Sequence, residues 1–343
     1  MFKYLLVLLV CFLSACQQQE KVEDKLFQKH YFIFGTIIEV MVWHHNERRV
    51  NQALGDVETA LNGMHSQWHA WKAGRLNEIN KAIRAGKTYA ITNEESQFIL
   101  QTKKLSEQSQ GNFNPAIGEL IHLWGFHTDN YPITTPPPSD IEINDFLAQL
   151  PSMQDIVISN NKISSNNPHI WLDYGGVAKG YAIDKAINIL KRHDIKNAIV
   201  NAGGDLRSIG SKGDKNWRVA IRKPNSEDIL AVISVKGDES IFTSGNYERY
   251  KEFNGKRYAH IIDPKTGRGI NQIVSATIIA ENGTKADAAA TAMIVAGKQN
   301  WHKTAKTMQL EHVLLIDVNG ECFASKKIIQ RLDKTKMVCH VLE

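Results

Sequence analysis

Residues 169–180 read HIWLDYGGVAKG. The first four have the apolar, β-prone character of a strand. Asp173 stands at the strand's end. Gly175, Gly176 and Gly180 follow, then a helix with Tyr181, Ala182, Ala186, Ile189 and Leu190 on its apolar side. A strand that runs through glycines into a helix lets main-chain groups come close to a ligand. The segment lacks the Gly-x-x-x-x-Gly-Lys-Ser/Thr spacing of a P-loop and the Gly-x-Gly-x-x-Gly spacing of a dinucleotide fold. A purely structural turn with a helix cap satisfies the same letters.

Outward from this segment the pattern is mixed. Tyr31 to Trp43 is rich in β-branched residues and reads as a strand, with Gly35 as a bulge or a point of close approach. Leu54, Val57, Leu61 and Met64 have helical spacing within 50–68. Thr92-Asn93-Glu94-Glu95 and Ser139-Asp140-Ile141-Glu142 are capping boxes; the first opens a helix ending at Gly111, the second one reaching about Leu150. Ile156–Ile158 and Lys162–Ser164 flank Asn160-Asn161 as a hairpin. After the helix that follows Gly180, Ala198–Asn201 is a strand ending in Ala202-Gly203-Gly204-Asp205. Short strands are expected near 217–222, 230–235, 240–243, 258–262 and 273–280, a helix over 285–297, and a late strand over His312–Val318. Antiparallel hairpins without regular β-α alternation define an α+β chain.

The 343 residues carry a formal charge of +5, with Lys and Arg spread along the chain, so no block reads as a nucleic-acid surface. Lys3, the apolar run Tyr4–Leu13 and Ser14-Ala15-Cys16 form an export signal too short to span a bilayer. The Cys after the small pair resembles a lipobox. Residues 1–15 are therefore expected to be a signal peptide, 16–29 a polar tether from lipidated Cys16, and 30–343 the folded domain. The protein is then expected to be membrane-anchored and to face the periplasm or cell exterior. Gln17 after the lipidated Cys favours outer-membrane sorting in a Gram-negative host. Cys322 and Cys339 can pair in such a compartment, or remain two thiols.

Two further segments carry chemistry. Asp287 and Thr291 in Lys285-Ala286-Asp287-Ala288-Ala289-Ala290-Thr291 share one helical face among small residues. A carboxylate and a hydroxyl are hard oxygen ligands, the kind Mg²⁺ shares with substrate phosphates. Ala-rich packing with an acid near a helix start is the plainer reading. In Tyr258–Gly267, His260 precedes an Asp-Pro turn and titrates in the range of an acid–base catalyst, though a structural histidine fits too.

Taken in order, Phe34-Gly35-Thr36, Leu123-Trp124-Gly125-Phe126, Asp173–Gly180, Asn201–Asp205, Thr243-Ser244-Gly245, His260–Gly267 and Asp287–Thr291 resemble the ApbE family of FAD:protein FMN transferases. The resemblance runs from about Tyr31 to about Gly320. It implies an ApbE-like α+β fold, with mixed, largely antiparallel sheets flanked by helices and FAD in a cleft between two lobes. It implies Mg²⁺ on Asp287, Thr291 and the Gly176 carbonyl. FAD contacts are implied at Phe34, Asn114, Pro115, Ala116, Asp173, Lys179 and Ile261, with an aromatic stack from Trp68 or Trp71. His260, or a carboxylate near the metal, is the implied base. The implied reaction moves FMN from FAD to a threonine of an acceptor flavoprotein, such as a subunit of a membrane redox complex, and releases AMP. An FAD pyrophosphatase and a non-catalytic flavin-binding lipoprotein are the alternatives. The chain departs from the family pattern at Asn114, where Asp is usual, at Tyr174, where Leu is usual, and around Trp68–Arg75.

Overall fold

A computed structural model describes residues 23–247, 249–333 and 337–342. Cys16 and the signal segment lie outside the described residues. In chain order the elements begin with β1 (Lys25–Ile33), β2 (Thr36–His44), α1 (Glu47–Gln67), α2 (Arg75–Arg84), β3 (Tyr89–Ala90) and α3 (Asn93–Gln108). Next come α4 (Gly118–Leu123), α5 (Asp140–Ala148), β4 (Ile156–Ser159), β5 (Lys162–Ser165) and α6 (Ala178–Arg192). The second half holds β6 (Ala198–Ala202), β7 (Asp205–Ile209), β8 (Trp217–Arg222), β9 (Ile229–Val235), β10 (Glu239–Gly245), β11 (Tyr250–Phe253) and β12 (Lys256–Ala259). It closes with β13 (Ile273–Ala280), α7 (Gly283–Thr307), β14 (His312–Asp317), β15 (Cys322–Ser325), α8 (Lys326–Ile329), β16 (Leu332–Asp333) and β17 (Cys339–Leu342).

The central sheet has the order β1-β2-β6-β7-β10-β13-β14-β15-β17. Its pairs are antiparallel except β15–β17. Helices α1, α6 and α7 cover one face and enclose the main core. The sheet β16-β9-β8 covers the other, where Trp217, Val219 and Ile233 meet Ile199, Leu206 and Leu314. A third cluster of Ile117, Leu120, Trp124, Phe126, Ile143, Phe146 and Ile262 ties α4 and α5 to the loop after His260. Trp124 Nε1 donates to the Gly267 carbonyl at 2.8 Å there.

The structure corrects the sequence reading in four places. Tyr31–Trp43 is not one bulged strand but a hairpin, β1–β2, that reverses at Phe34-Gly35. The folded domain begins before residue 30, because β1 starts at Lys25. As an edge strand, β1 keeps polar Lys25 and Gln28 exposed, which made its first half look like tether. His169–Leu172 makes only an isolated bridge, Ile117 to Trp171. α7 runs on past 297 to Thr307, broken where Gly297 takes φ 67°, ψ −178°. Cys322 and Cys339, left open by the sequence, face each other across β15–β17 and are bonded at 2.04 Å.

Candidate active site

Two glycines bring the helices that carry the site together. A Cβ on Gly180 of α6 would lie 2.2 Å from the Gly283 carbonyl oxygen, and one on Gly283 would lie 2.7 Å from that of Gly180. Asp184, one turn along α6, caps α7. Its Oδ1 accepts from Gly283 N at 2.7 Å, and its Oδ2 from Thr284 N at 2.8 Å. Arg207 Nη1 donates to the same carboxylate at 2.6 Å and balances the buried charge.

With the helices so fixed, Asp287 reaches back across them. Its Oδ2 accepts from Gly180 N at 2.9 Å. Thr291, one turn further on, faces Gly176, where a Cβ would lie 3.0 Å from Thr291 Oγ1. Thr291 has no hydrogen-bond partner for its hydroxyl among the described residues. The structure therefore brings Gly176, Asp287 and Thr291 together. Asp287 is only 4% exposed. Burial pushes its carboxyl up to about 7; the Lys179 charge pulls the other way, and Asp205 and Asp184 add to the rise. A hard divalent cation at this oxygen-rich site would offset the burial and favour the ionised carboxylate. Among the described residues no three His, Cys, Asp or Glu side chains cluster as a metal site.

The same end of the central sheet supplies the next residues. The turns Phe34-Gly35 and Gly203-Gly204 are neighbours, for a Cβ on Gly203 would lie 2.6 Å from Thr36 Oγ1. Asp205, first residue of β7, pairs with Lys179 and accepts from Thr243 N at 2.9 Å. Phe34 packs edge-on against His65 with ring centroids 5.6 Å apart.

Asp173 belongs to a second group. Its Oδ1 accepts from Gly175 N at 2.7 Å, and Nε2 of His127 donates to its Oδ2 at 2.8 Å. Burial raises this carboxyl, but the His127 hydrogen bond and charge, the Gly175 amide and Arg249 outweigh it and hold it below its ordinary value. Trp71 lies parallel to the His127 ring at 4.7 Å. Trp68 instead stacks on Tyr181 at 5.3 Å and packs against Phe98 and Tyr174. Of the two tryptophans the sequence left open, Trp71 is the one beside Asp173. Asn114, Pro115 and Ala116 form the support behind it. The Pro115 carbonyl accepts from Asp173 N at 2.8 Å and the Ala116 carbonyl from Trp171 N at 3.2 Å. Asn114 is spent locally, donating to the Pro151 carbonyl and accepting from Ala116 N. Ile261 is buried in the main core. His260 Nδ1 stands 2.9 Å from the Arg249 carbonyl oxygen, which can only accept. Nδ1 therefore carries the proton and Nε2 the lone pair. Burial, reinforced by the Arg249 charge, pushes this imidazole down to about 4.

Sequence reasoning assigned no role to His127, Asp184 or Asp205. His127 directly follows the Leu123–Phe126 motif and Asp205 ends a quoted one; Asp184 sits on the same side of α6 as Gly180, a helical turn away, which is the only signal it offers.

A glycine-lined helix start facing a buried carboxylate and a threonine hydroxyl, with a lysine beside them, is an arrangement suited to a phosphate-bearing ligand. Comparison places the chain further. A model of the ApbE family matches residues 34–314, and the chain belongs to that family. It is 37% identical over 306 residues to an FAD:protein FMN transferase of Rhodobacter capsulatus, covering 88% of this chain but 58% of that relative's length. An FAD:protein FMN transferase of Klebsiella pneumoniae is 30% identical, with 84% of this chain and 83% of the relative covered. The crystal structure of the ApbE protein from Thermotoga maritima superposes with a TM-score of 0.81 at 30% identity, over 90% of this chain and all of that one. The α+β, largely antiparallel architecture is thus the ApbE fold.

Proposed function

We propose that this chain is an FAD:protein FMN transferase that uses Mg²⁺ and modifies a threonine of an acceptor flavoprotein. The observation that carries the reading is the meeting of Asp287, Thr291 and Gly176 at the start of α6. Asp287, the Thr291 hydroxyl and the Gly176 carbonyl would hold the cation. Bound there, Mg²⁺ supplies positive charge to the FAD diphosphate. Lys179 and the first amides of α6 add positive potential on the same side. Phe34 and Trp71 offer apolar and aromatic surfaces to the flavin, and Asp173 offers its carboxylate to a polar edge of the ligand.

The acceptor threonine Oγ forms a bond to the phosphorus on the riboflavin side while that phosphorus loses its bond to AMP. The hydroxyl proton needs a base. Neutral His260, with its lone pair fixed on Nε2, is the side chain prepared to take it. The acceptor is an exported flavoprotein, such as a subunit of a membrane redox complex. Cys16 anchors the enzyme on the same side of the membrane.

Asp287→Ala is expected to abolish both transfer and Mg²⁺-dependent FAD binding. Mass spectrometry of a coexpressed acceptor reads the mass of FMN on its threonine. Unchanged flavinylation by the variant sinks the mechanism, and AMP released without acceptor points to hydrolysis instead.

A further inference from the structure

Phe32 and Ile37 are directly paired across the β1–β2 hairpin, just behind the Phe34-Gly35 turn. They are 79% and 58% exposed, the barest aromatic and isoleucine on this end of the sheet. Further along the same face the residues turn polar: Gln28 and His30 both contact Glu39. The face is covered near Met41 and Leu26 by the β8–β9 layer, but among the described residues nothing covers the tip. A cross-strand apolar pair held open to water, beside a turn that contributes to the site, is a surface kept for contact.

The main chain adds a second feature. A two-residue hairpin closes with the hydrogen-bonded pair Ile33–Thr36. The alternation that follows turns the N–H and C=O of Phe32 and His30 away from β2. Among the described residues β1 has no partner on that side. The tip thus offers both an apolar knob and unpaired backbone groups, as strand-adding partners require.

We propose that this rim is where the acceptor protein docks: an extended segment bearing the target threonine, with an apolar side chain beside it, lies along the open edge of β1 against Phe32 and Ile37. The inference rests on the transferase reading, in which a second protein must bring its hydroxyl to the site. Where the chain enters the fold favours a protein over a lipid surface. β1 begins at Lys25 and reaches Phe34 only after nine residues, about 30 Å of strand. A tether leading to Lys25 therefore attaches at the opposite end of the hairpin from the apolar pair.

The test uses an acceptor flavoprotein chosen because the wild-type chain, with FAD and Mg²⁺, transfers FMN to it. Phe32→Ser with Ile37→Ser is expected to raise the KM for that acceptor about tenfold, while kcat stays within about twofold. FAD affinity and melting temperature are expected to hold, because both side chains are at the surface. Phe32→Leu with Ile37→Val is expected to restore KM. An unchanged KM in the serine variant overturns the docking site and leaves the transferase reading standing. So does a variant that loses binding to phosphatidylethanolamine–phosphatidylglycerol vesicles at unchanged KM, which assigns the pair to a membrane. If no candidate acceptor gains FMN from the wild-type chain, the transferase reading falls and the docking site falls with it.

Discussion

Phe34 holds a left-handed backbone, φ 57°, next to Gly35 at 71°. The type I′ turn these angles make is ordinarily filled by Asn-Gly or Asp-Gly, since a bulky residue with positive φ is strained. An aromatic ring kept there at a cost in stability fits the flavin contact proposed for Phe34. Phe34→Asn should leave stability level or higher by up to about 1 kcal/mol while weakening FAD binding several-fold. Thermal melts and FAD titration with Mg²⁺ check the two halves. A variant that melts lower and binds FAD normally would make the ring structural. At Asp287 the sign of the pH effect can be worked out. Its folded value, about 7, lies above the ordinary carboxylate value of 3.8. The native state therefore holds a proton that the unfolded state has lost, and the stability it contributes falls as pH rises from about 4 to about 7. Without Mg²⁺, the melting temperature of wild type should drop relative to Asp287→Asn across that window. A saturating cation favours the ionised carboxylate, so Mg²⁺ should recover the loss near pH 8 and do little near pH 5. A parallel pair of melting curves at all pH values would contradict this account. His260 acts in the other direction: its value is depressed, so its contribution is lost as pH falls from 6.5 towards 4.

The elements show where local chemistry was enough. Thr92 and Glu95 exchange both bonds of a capping box, as do Ser139 and Glu142, and the helices start where those residues require. Asn160 and Asn161 take φ of 49° and 55°, the turn their side chains favour. The β1–β2 reversal was hidden because Phe34 is not a turn residue by type; its conformation is imposed by the surrounding sheet. The run 169–172 has strand composition, but its pairing is limited to the bridge at Trp171, a tertiary fact invisible to periodicity. That Asp287 and Thr291 share one helical face was legible from their i,i+4 spacing. Their closeness to Gly176 was not, because that depends on how α6 and α7 cross. Gly180 sets that crossing. Gly180→Ala puts a methyl into the Gly283 carbonyl, and overpacking of this kind costs about 1–3 kcal/mol. It should lower stability by that amount and reduce Mg²⁺-dependent FAD binding together. Gly55→Ala in α1, where a Cβ meets nothing within 4 Å, is the control and should gain up to about 1 kcal/mol. Denaturant titration compares them; equal effects would remove the special role of the α6–α7 contact.

At the scale of the whole molecule, the sheet has a working end and a far end. The turns at Phe34-Gly35 and Gly203-Gly204 crowd the first. The far end opens a groove of about 490 Å³ between α7 and the strands, lined by Asp238, Glu281, Lys306 and His312 among others. Across the sheet, the edge opposite β1 is closed covalently. Cys322 and Cys339, seventeen residues apart, join β15 to the parallel strand β17. Cross-linking a loop of this length stabilises by about 3 kcal/mol, chiefly by restricting the unfolded chain. Cys339→Ser, at the less buried partner, should lose roughly that amount in denaturation under oxidising conditions and little under reducing ones. Equal stability in both conditions would show the bond to be incidental. For a chain read as exported, that staple also carries timing. On that proposed reading, glutathione would keep the two thiols apart in the cytosol, and the last strand would have only its backbone pairing to hold it before translocation. Oxidants beyond the membrane would then close the seam, and a rim loose for passage would become permanent on arrival.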